Sequence, residues 1–478
     1  MYDVKEKSLR ILQHDLETGA VTSEELVFAY MQRIADFDQS GPELRSVLEI
    51  NPDAIDIAAA LDRERKTKGS RGPLHGIPVL VKDNISTGDR MHTSAGAESL
   101  KDNFAADDAE VIKQLREAGC VILGKTNLSE FARFMAMVVP NGYSARGGQC
   151  KSPYGEDVDP LGSSTGSGVA ASMSFAAVTV GTETSGSIIS PSSANSVAGL
   201  KPTVGLVSRS GIIPINYQDT AGPMGRSVED IAILLGAMCS EDPDDPATQA
   251  NEGLVFEDYT QFLKKDALKG KRVGISRIAR PWYSKEQLEV FEKSLKYLEE
   301  AGAVLVDGCD LPEVVPAAGF LTAAVMHFEF KRYMDAWLAD YCTLPDIRTL
   351  EDIVKYNQAH AETAIKYGQD ILEACAATSG NLTECDYLHE KVRVLRESRR
   401  GIDALLKEKE LDVIVCPGPS AIVPTAGYPI LSVPAGMAED GRPMGLSFVG
   451  SAYSEAQLLA YGYAFEQASH LRVIPTIG

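Results

Sequence analysis

The chain is expected to be an α/β protein built on a layered sheet. Three observations lead there. Strand-like and helix-like patterns alternate along much of its length. Hydrophobic content of 44% and charged content of 24% are those of an ordinary soluble globular protein. No repeat or low-complexity tract interrupts the 478 residues, and large α/β enzymes of this size form one continuous sheet.

Residues 1-65 read as a helical layer. Thr22-Ser23-Glu24-Glu25 is a capping-box signature, and Leu26, Tyr30 and Ile34 recur at four-residue spacing on one face. Residues 70-238 are expected to form the central core. Ile77 to Lys82 is an apolar strand that ends abruptly on Lys82-Asp83-Asn84, and lysine is rarely buried without a reason. Asp107 to Ala118 has helical periodicity, Gly119 suits the position after a helix, and Cys120 to Leu123 suits a strand. Gly119 to Thr126 also matches G-x-x-x-x-G-K-[ST] letter for letter. A phosphate-cradling loop would here be the apolar strand itself, so nucleotide binding is not expected.

From Thr126 to Leu161 the segment is turn-rich. Gly162 to Ser192 is dense in small residues, with serines in loops at both ends of a helix-then-strand unit. Small side chains let backbone approach backbone, or a ligand. Ala198 to Pro223 reads as loops with short strands. Cys239 to Pro246 is an acidic, proline-bearing break and the best place for a boundary. In residues 247-478, Val273 to Ile275 and Val304 to Val306 are strands around a helix from Lys285 to Ala301. A helical insertion follows at about 318-409, then strands at Leu411 to Cys416 and Tyr428 to Pro434.

Composition excludes several functions. A net charge of -21 leaves no basic stripe to neutralise phosphates, so no nucleic-acid partner is expected. Met1 to Lys7 lacks an apolar signal core, and no run approaches the roughly 18 apolar residues of a membrane span. Eight scattered cysteines without a C-x-x-C pair fit reduced thiols and a cytoplasmic address.

The catalytic motifs narrow further. His389-Glu390 is not followed by a zincin spacing, and no serine stands three residues before a lysine. Gly162 to Gly166 fits G-x-S-x-G, but a polar turn precedes it where a hydrolase elbow needs a buried strand; by spacing, His470 stays open as its partner. A serine nucleophile with a lysine base remains. A lysine accepts a proton only when neutral, which requires desolvation, and Lys82 at the end of an apolar strand suits that.

The chain resembles the amidase signature family, whose Ser–cis-Ser–Lys triad hydrolyses amides. Leu74 to Ile85 is similar to the family's lysine block, Gly162 to Ser167 to its G-G-S-S-G-G-S block, and Gly181 to Ile188 to the nucleophile block G-T-D-x-G-G-S-[IV]. Further matches lie at Gly124 to Asn127, Gly199 to Thr203, Asp219 to Pro223 and Gly427 to Gly436. The resemblance implies that Ser187 is the nucleophile and that Ser163, on a cis peptide bond, passes its proton to Lys82. Ser164 would hydrogen-bond within the triad, and the backbone N–H groups of Thr184, Ser185, Gly186 and Ser187 would form the oxyanion hole. Leu161, Thr165, Glu183, Ser185 and Ile189 depart from the family pattern and move the chain away from glutamyl-tRNA amidotransferase subunits.

Arg146 to Gly148, Val204 to Ile215 and Gln218 to Thr220 look most like the peptide-amidase branch, which removes the C-terminal amide of peptides. The resemblance thus implies one large α/β/α domain with a mixed, twisted central sheet covered by helices, and a cofactor-independent, metal-free amidohydrolase acting on a small-molecule or peptide amide, for which a homodimer is one assembly considered. Aryl amides, carbamates and esters are alternative substrates of the same triad. A non-catalytic or amidotransferase-like assembly subunit is the alternative of another class. The pocket is expected to be roofed by residues 126-150 and the helical stretch after Leu321.

Overall fold

The computed structural model describes residues 2–214, 216–277, 283–312 and 320–477, with side chains from residue 325 in the last segment. Met1, Ile215 and residues 318 and 319 of the expected insertion lie outside them.

The strands are β1 (Val47–Ile50), β2 (Pro78–Lys82), β3 (Val121–Thr126), β4 (Tyr143–Ser144), β5 (Gly148–Gln149), β6 (Val178–Glu183), β7 (Ala198–Lys201), β8 (Thr220–Gly225), β9 (Arg272–Ile275), β10 (Val304–Val306), β11 (Val413–Pro417), β12 (Ile430–Met437) and β13 (Pro443–Val449). β4 and β5 form a separate hairpin, and the other strands make one sheet in the order β1-β3-β2-β6-β8-β7-β12-β13-β11-β9-β10. β2 runs parallel to β3 and β6, and β9 runs parallel to β10 and β11. The remaining pairs are antiparallel, so the sheet is mixed.

The Thr22 capping box forms as its sequence demands. Glu25 N–H donates to the Thr22 hydroxyl, and Glu25 carboxylate accepts from Thr22 N–H at 2.8 Å. The N-terminal layer is not wholly helical, however: β1 pairs with β3 as the sheet edge between the helices Ser23–Arg33 and Ala54–Lys68. Four residues are too few for alternation to stand out against helical neighbours. β3 continues through Gly124-Lys125-Thr126, so the phosphate-loop lookalike is a fully buried strand.

Helices Thr165–Ser172 and Ile189–Ala194 pack on each other and on the sheet; Val228–Met238, Lys285–Glu300 and Glu455–Ser469 form another covering group. The helical stretch from Phe320–Asp340 to Asp370–Ala376 builds a second apolar core. There Phe330, Met334 and Trp337 meet Leu128, Phe131 and Phe134. The insertion is thereby fastened to the turn-rich segment between β3 and β4.

The acidic stretch at Cys239 to Pro246 is tied into the body. Asp242 accepts from the Ser208 hydroxyl at 2.5 Å, and Asp245 pairs with Arg209. Its prolines and charges mark a packed turn rather than a linker. Among the described residues, no helix is long and apolar enough to cross a membrane.

Candidate active site

Parallel pairing of β2 with β6 aligns Val81 with Val180, which places Lys82 and Thr182 together where both strands end. Every residue of the two strands is buried, so the Lys82 amine leaves its strand into a space without bulk water. Its Nζ lies 2.8 Å from Ser163 Oγ, 3.0 Å from Ser164 Oγ, 2.9 Å from Thr182 Oγ1 and 3.2 Å from Thr182 O. Burial pushes its pKa down to about 7, against the pull of the Asp219 and Glu183 charges. Near neutral pH about half of such amines hold a free lone pair, as a general base requires.

Ser163 follows the peptide bond to Gly162, which is cis, and Ser164 begins the helix Thr165–Ser172. That helix starts hard against the backbone after β3: a Cβ on Gly166 would stand 2.4 Å from Asn127 O. Ser164 bridges the site. Its N–H donates to Ser187 O at 3.0 Å, and its hydroxyl donates to Thr182 O at 2.9 Å. Leu161 takes a left-handed φ of 53°, a conformation glycine adopts freely, and its carbonyl accepts from Thr165 Oγ1 at 2.6 Å. Two of the departures from the family pattern thus sit on one small turn.

The loop that carries Ser187, the expected nucleophile, runs between β6 and the helix Ile189–Ala194. Glu183 shapes it: Oε1 accepts from Gly186 N–H at 2.8 Å, while Oε2 accepts from Ile188 N–H at 2.7 Å and Ile189 N–H at 3.0 Å. A carboxylate there satisfies orphan donors at the start of the helix. Gly186 has φ of 86°, which explains glycine at that place. Of the four N–H groups expected to form the oxyanion hole, that of Gly186 donates to Glu183 in this arrangement. Thr184, Ser185 and Ser187 keep N–H groups with no protein acceptor among the described residues.

Ser187 is 8% exposed and Ser163 is 1% exposed, which leaves the expected nucleophile nearer to solvent. The structure joins Ser163 directly to Lys82 and joins Ser187 to Ser164 through the backbone. No hydrogen bond links the two hydroxyls of Ser187 and Ser163 among the described residues. His470 lies elsewhere, closing the helix Glu455–Ser469 through its backbone N–H.

Residues 216–219 escaped the sequence reading as site-building groups. Asp219 accepts from the Thr184 hydroxyl at 2.5 Å, and Gln218 Nε2 donates to Thr184 O at 2.6 Å. Their turn is held in place by the insertion, where buried Glu329 accepts from Tyr217 N–H and from the Tyr387 hydroxyl, each at 2.7 Å, and pairs with Lys391. The sequence signal was faint: Asn216 to Asp219 are turn formers at a loop end, and Glu329 is one carboxylate among many on helices.

A cavity of about 810 Å³ opens against Asn84, Thr182 and Thr184, beside the loop rather than directly over the Ser187 hydroxyl. One wall is Tyr333, Ala336 and Trp337 of the helix Phe320–Asp340, with Ala132 from the turn-rich segment. Both segments expected to roof the pocket thus contribute to it. The Arg209–Pro214 loop, Asn216, Asp219, Thr220 and Asp244 to Pro246 line it further, with Asp107, Asp340 and Tyr341.

The amidase family model matches residues 25–425. A probable amidase of Arabidopsis thaliana is 39% identical over 99% of this chain and 92% of its own length. The crystal structure of a peptide amidase from Stenotrophomonas maltophilia superposes with a TM-score of 0.94 at 41% identity, covering 98% of each chain. A peptide amidase in complex with the competitive inhibitor chymostatin superposes at 0.95, also at 41% identity and over 100% of each chain. The chain therefore belongs to the amidase family and is an amide-hydrolysing enzyme with the amidase signature fold.

Proposed function

We propose that the enzyme removes the C-terminal amide of peptides through an acyl-enzyme on Ser187. The Ser187 hydroxyl attacks the carboxamide carbon, and its proton passes through Ser163 to the neutral Lys82 amine. The oxyanion that forms is met by the N–H groups of Thr184, Ser185 and Ser187. Each such donor contributes about 3 kcal/mol to transition-state stabilisation in comparable sites. Lys82 returns its proton through Ser163 to the leaving nitrogen, ammonia departs, and a serine ester remains. Water then attacks the ester, again giving its proton to Lys82, and releases a carboxylic acid.

One observation carries this reading: a buried lysine with a pKa of about 7 stands 2.8 Å from Ser163 Oγ. The peptide amide as substrate is supported by the likeness to peptide amidases and by a cavity large enough for several residues.

Ammonia release from an amidated dipeptide tests it, wild type against Ser187→Ala. Release that vanishes in the variant is expected. Persistence of release would overturn the nucleophile assignment. Variant-sensitive cleavage of an anilide or carbamate, without any release from the peptide, would overturn the substrate and keep the triad.

A further inference from the structure

We propose that the cavity beside the nucleophile loop selects peptide amides that carry a positive charge on the N-terminal side of the scissile amide. The inference rests on the peptide-amide reading above and names the substrates within it. The charged groups that line the cavity are five aspartates, Asp107, Asp219, Asp244, Asp245 and Asp340, against the single arginine Arg209. Arg209 offers little field to a ligand, because it holds Asp245 with Nε at 2.8 Å and Nη2 at 2.5 Å and donates to Tyr217 O at 2.9 Å. Asp107 is paired with Lys113, outside the lining. Asp244 and Asp340 form no ion pair among the described residues and stand exposed at the rim. Five negative groups less one positive leave four formal negative charges on the wall, or three once Lys113 is included. A cleft with low-dielectric walls focuses such a field onto whatever enters. Trp337 and Tyr341 stand nearly parallel on the same wall at 6.3 Å, a surface suited to the methylene stem of a basic side chain.

A second observation points to a peptide and is independent of charge. Asn216 lines the same cavity, is 2% exposed, and accepts from Gln218 N–H through Oδ1 at 3.1 Å. That bond fixes which end of the carboxamide is which. Nδ2 is left as a buried donor without an acceptor among the described residues. A buried donor of this kind is costly unless something accepts from it, and a backbone carbonyl of a bound peptide does so. The cavity thus offers a carbonyl-binding donor next to the Thr184 loop and a cation-attracting rim further out.

The test compares kcat/KM for N-acetylated dipeptide amides with a common C-terminal residue and Arg, Gln or Glu before it. A fourth peptide carries Gln with a free amino terminus. The expected order is Arg above Gln above Glu, with about tenfold per step at low ionic strength and a spread that shrinks at high salt. The faster of the Arg peptide and the free-amino Gln peptide identifies which cation the rim takes. In Asp244→Asn/Asp340→Asn, two exposed sites where folding is not at stake, the Arg-to-Gln ratio should fall towards one. Asn216→Ala should lower kcat/KM on every peptide by a similar factor, and an unchanged value would remove Asn216 from the site. Cleavage of all four peptides at equal rates in low salt would overturn the inference and leave peptide-amide hydrolysis standing. Cleavage of none would overturn both.

Discussion

Lys82 ends β2 and Lys125 stands one residue before the end of the adjacent parallel strand β3, and both are fully buried. Burial lowers both amines, to about 7 for Lys82 and about 8 for Lys125. Their partners differ in kind. Lys82 meets three hydroxyls, of Ser163, Ser164 and Thr182, which can give up or take a proton. Lys125 donates to Ile85 O at 2.6 Å and to Thr93 Oγ1 at 2.9 Å, and so ties down the chain that leaves β2. A lowered pKa makes a lysine available as a base; a hydroxyl within reach that itself leads to a substrate gives it something to do. Desolvation alone produces a structural lysine.

The largest expected effect separates the two directly. Lys82→Met should lower kcat/KM by about 10³-fold or more, in the range that a general base contributes, while Lys125→Met should stay within about tenfold of wild type. Equal losses in amide-release assays would erase the distinction.

The pH profile sharpens it. In the proposed mechanism the neutral Lys82 amine is the active form, so kcat/KM should rise with pH and level off above about 7. One unit below that point, activity should be down about tenfold. The limb should stay in place in Lys125→Met; its displacement would mean that Lys125 titrates with the reaction.

The smallest effect is on stability. Lys125→Met strands Ile85 O, which can only accept, and should cost about 1–3 kcal/mol in urea unfolding. Lys82→Met should cost less, because the hydroxyls it leaves can pair with one another. The folded-state pKa of Lys82 lies below the unfolded value of about 10.5, so the unfolded chain binds more protons between about 7 and 10.5. Stability from this group therefore rises with pH across that window, and Lys82→Met should flatten the rise.

The sequence made one of these lysines conspicuous for the right reason and the other for a wrong one. Lys82 stood out as a cation closing an apolar run, a local signal with a physical cause. Lys125 stood out through a phosphate-loop pattern that its strand context already contradicted. The alternation of strands and helices also carried the fold class, since periodicity is written within each element. Legibility ended where the site depends on contacts across the chain. The acidic run at Asp242 to Asp245 has the composition of a linker, yet it packs on Ser208 and Arg209 and walls the cavity. Glu183 looked like a mere substitution for aspartate until its three N–H partners were visible. That the Gly186 N–H donates to this same carboxylate was equally invisible in the sequence. β1 and β13 went unread because a four-residue edge and a strand broken by Pro443 and Gly445 carry little alternation.

The order of strands also bears on how a ribosome delivers this protein. β7 is complete once residue 201 has been made, but its outer neighbour is β12, where Ile430 pairs with Lys201 and Leu431 with Leu200. More than two hundred residues must emerge before that edge of the sheet is closed. Throughout that interval the nascent chain presents unpaired N–H and C=O groups along β7, the kind of template on which another chain can add. Lys82, Ser163 and Ser187, the residues proposed to carry the chemistry, are all upstream of the gap and are made early, while protection of the sheet that carries them arrives last.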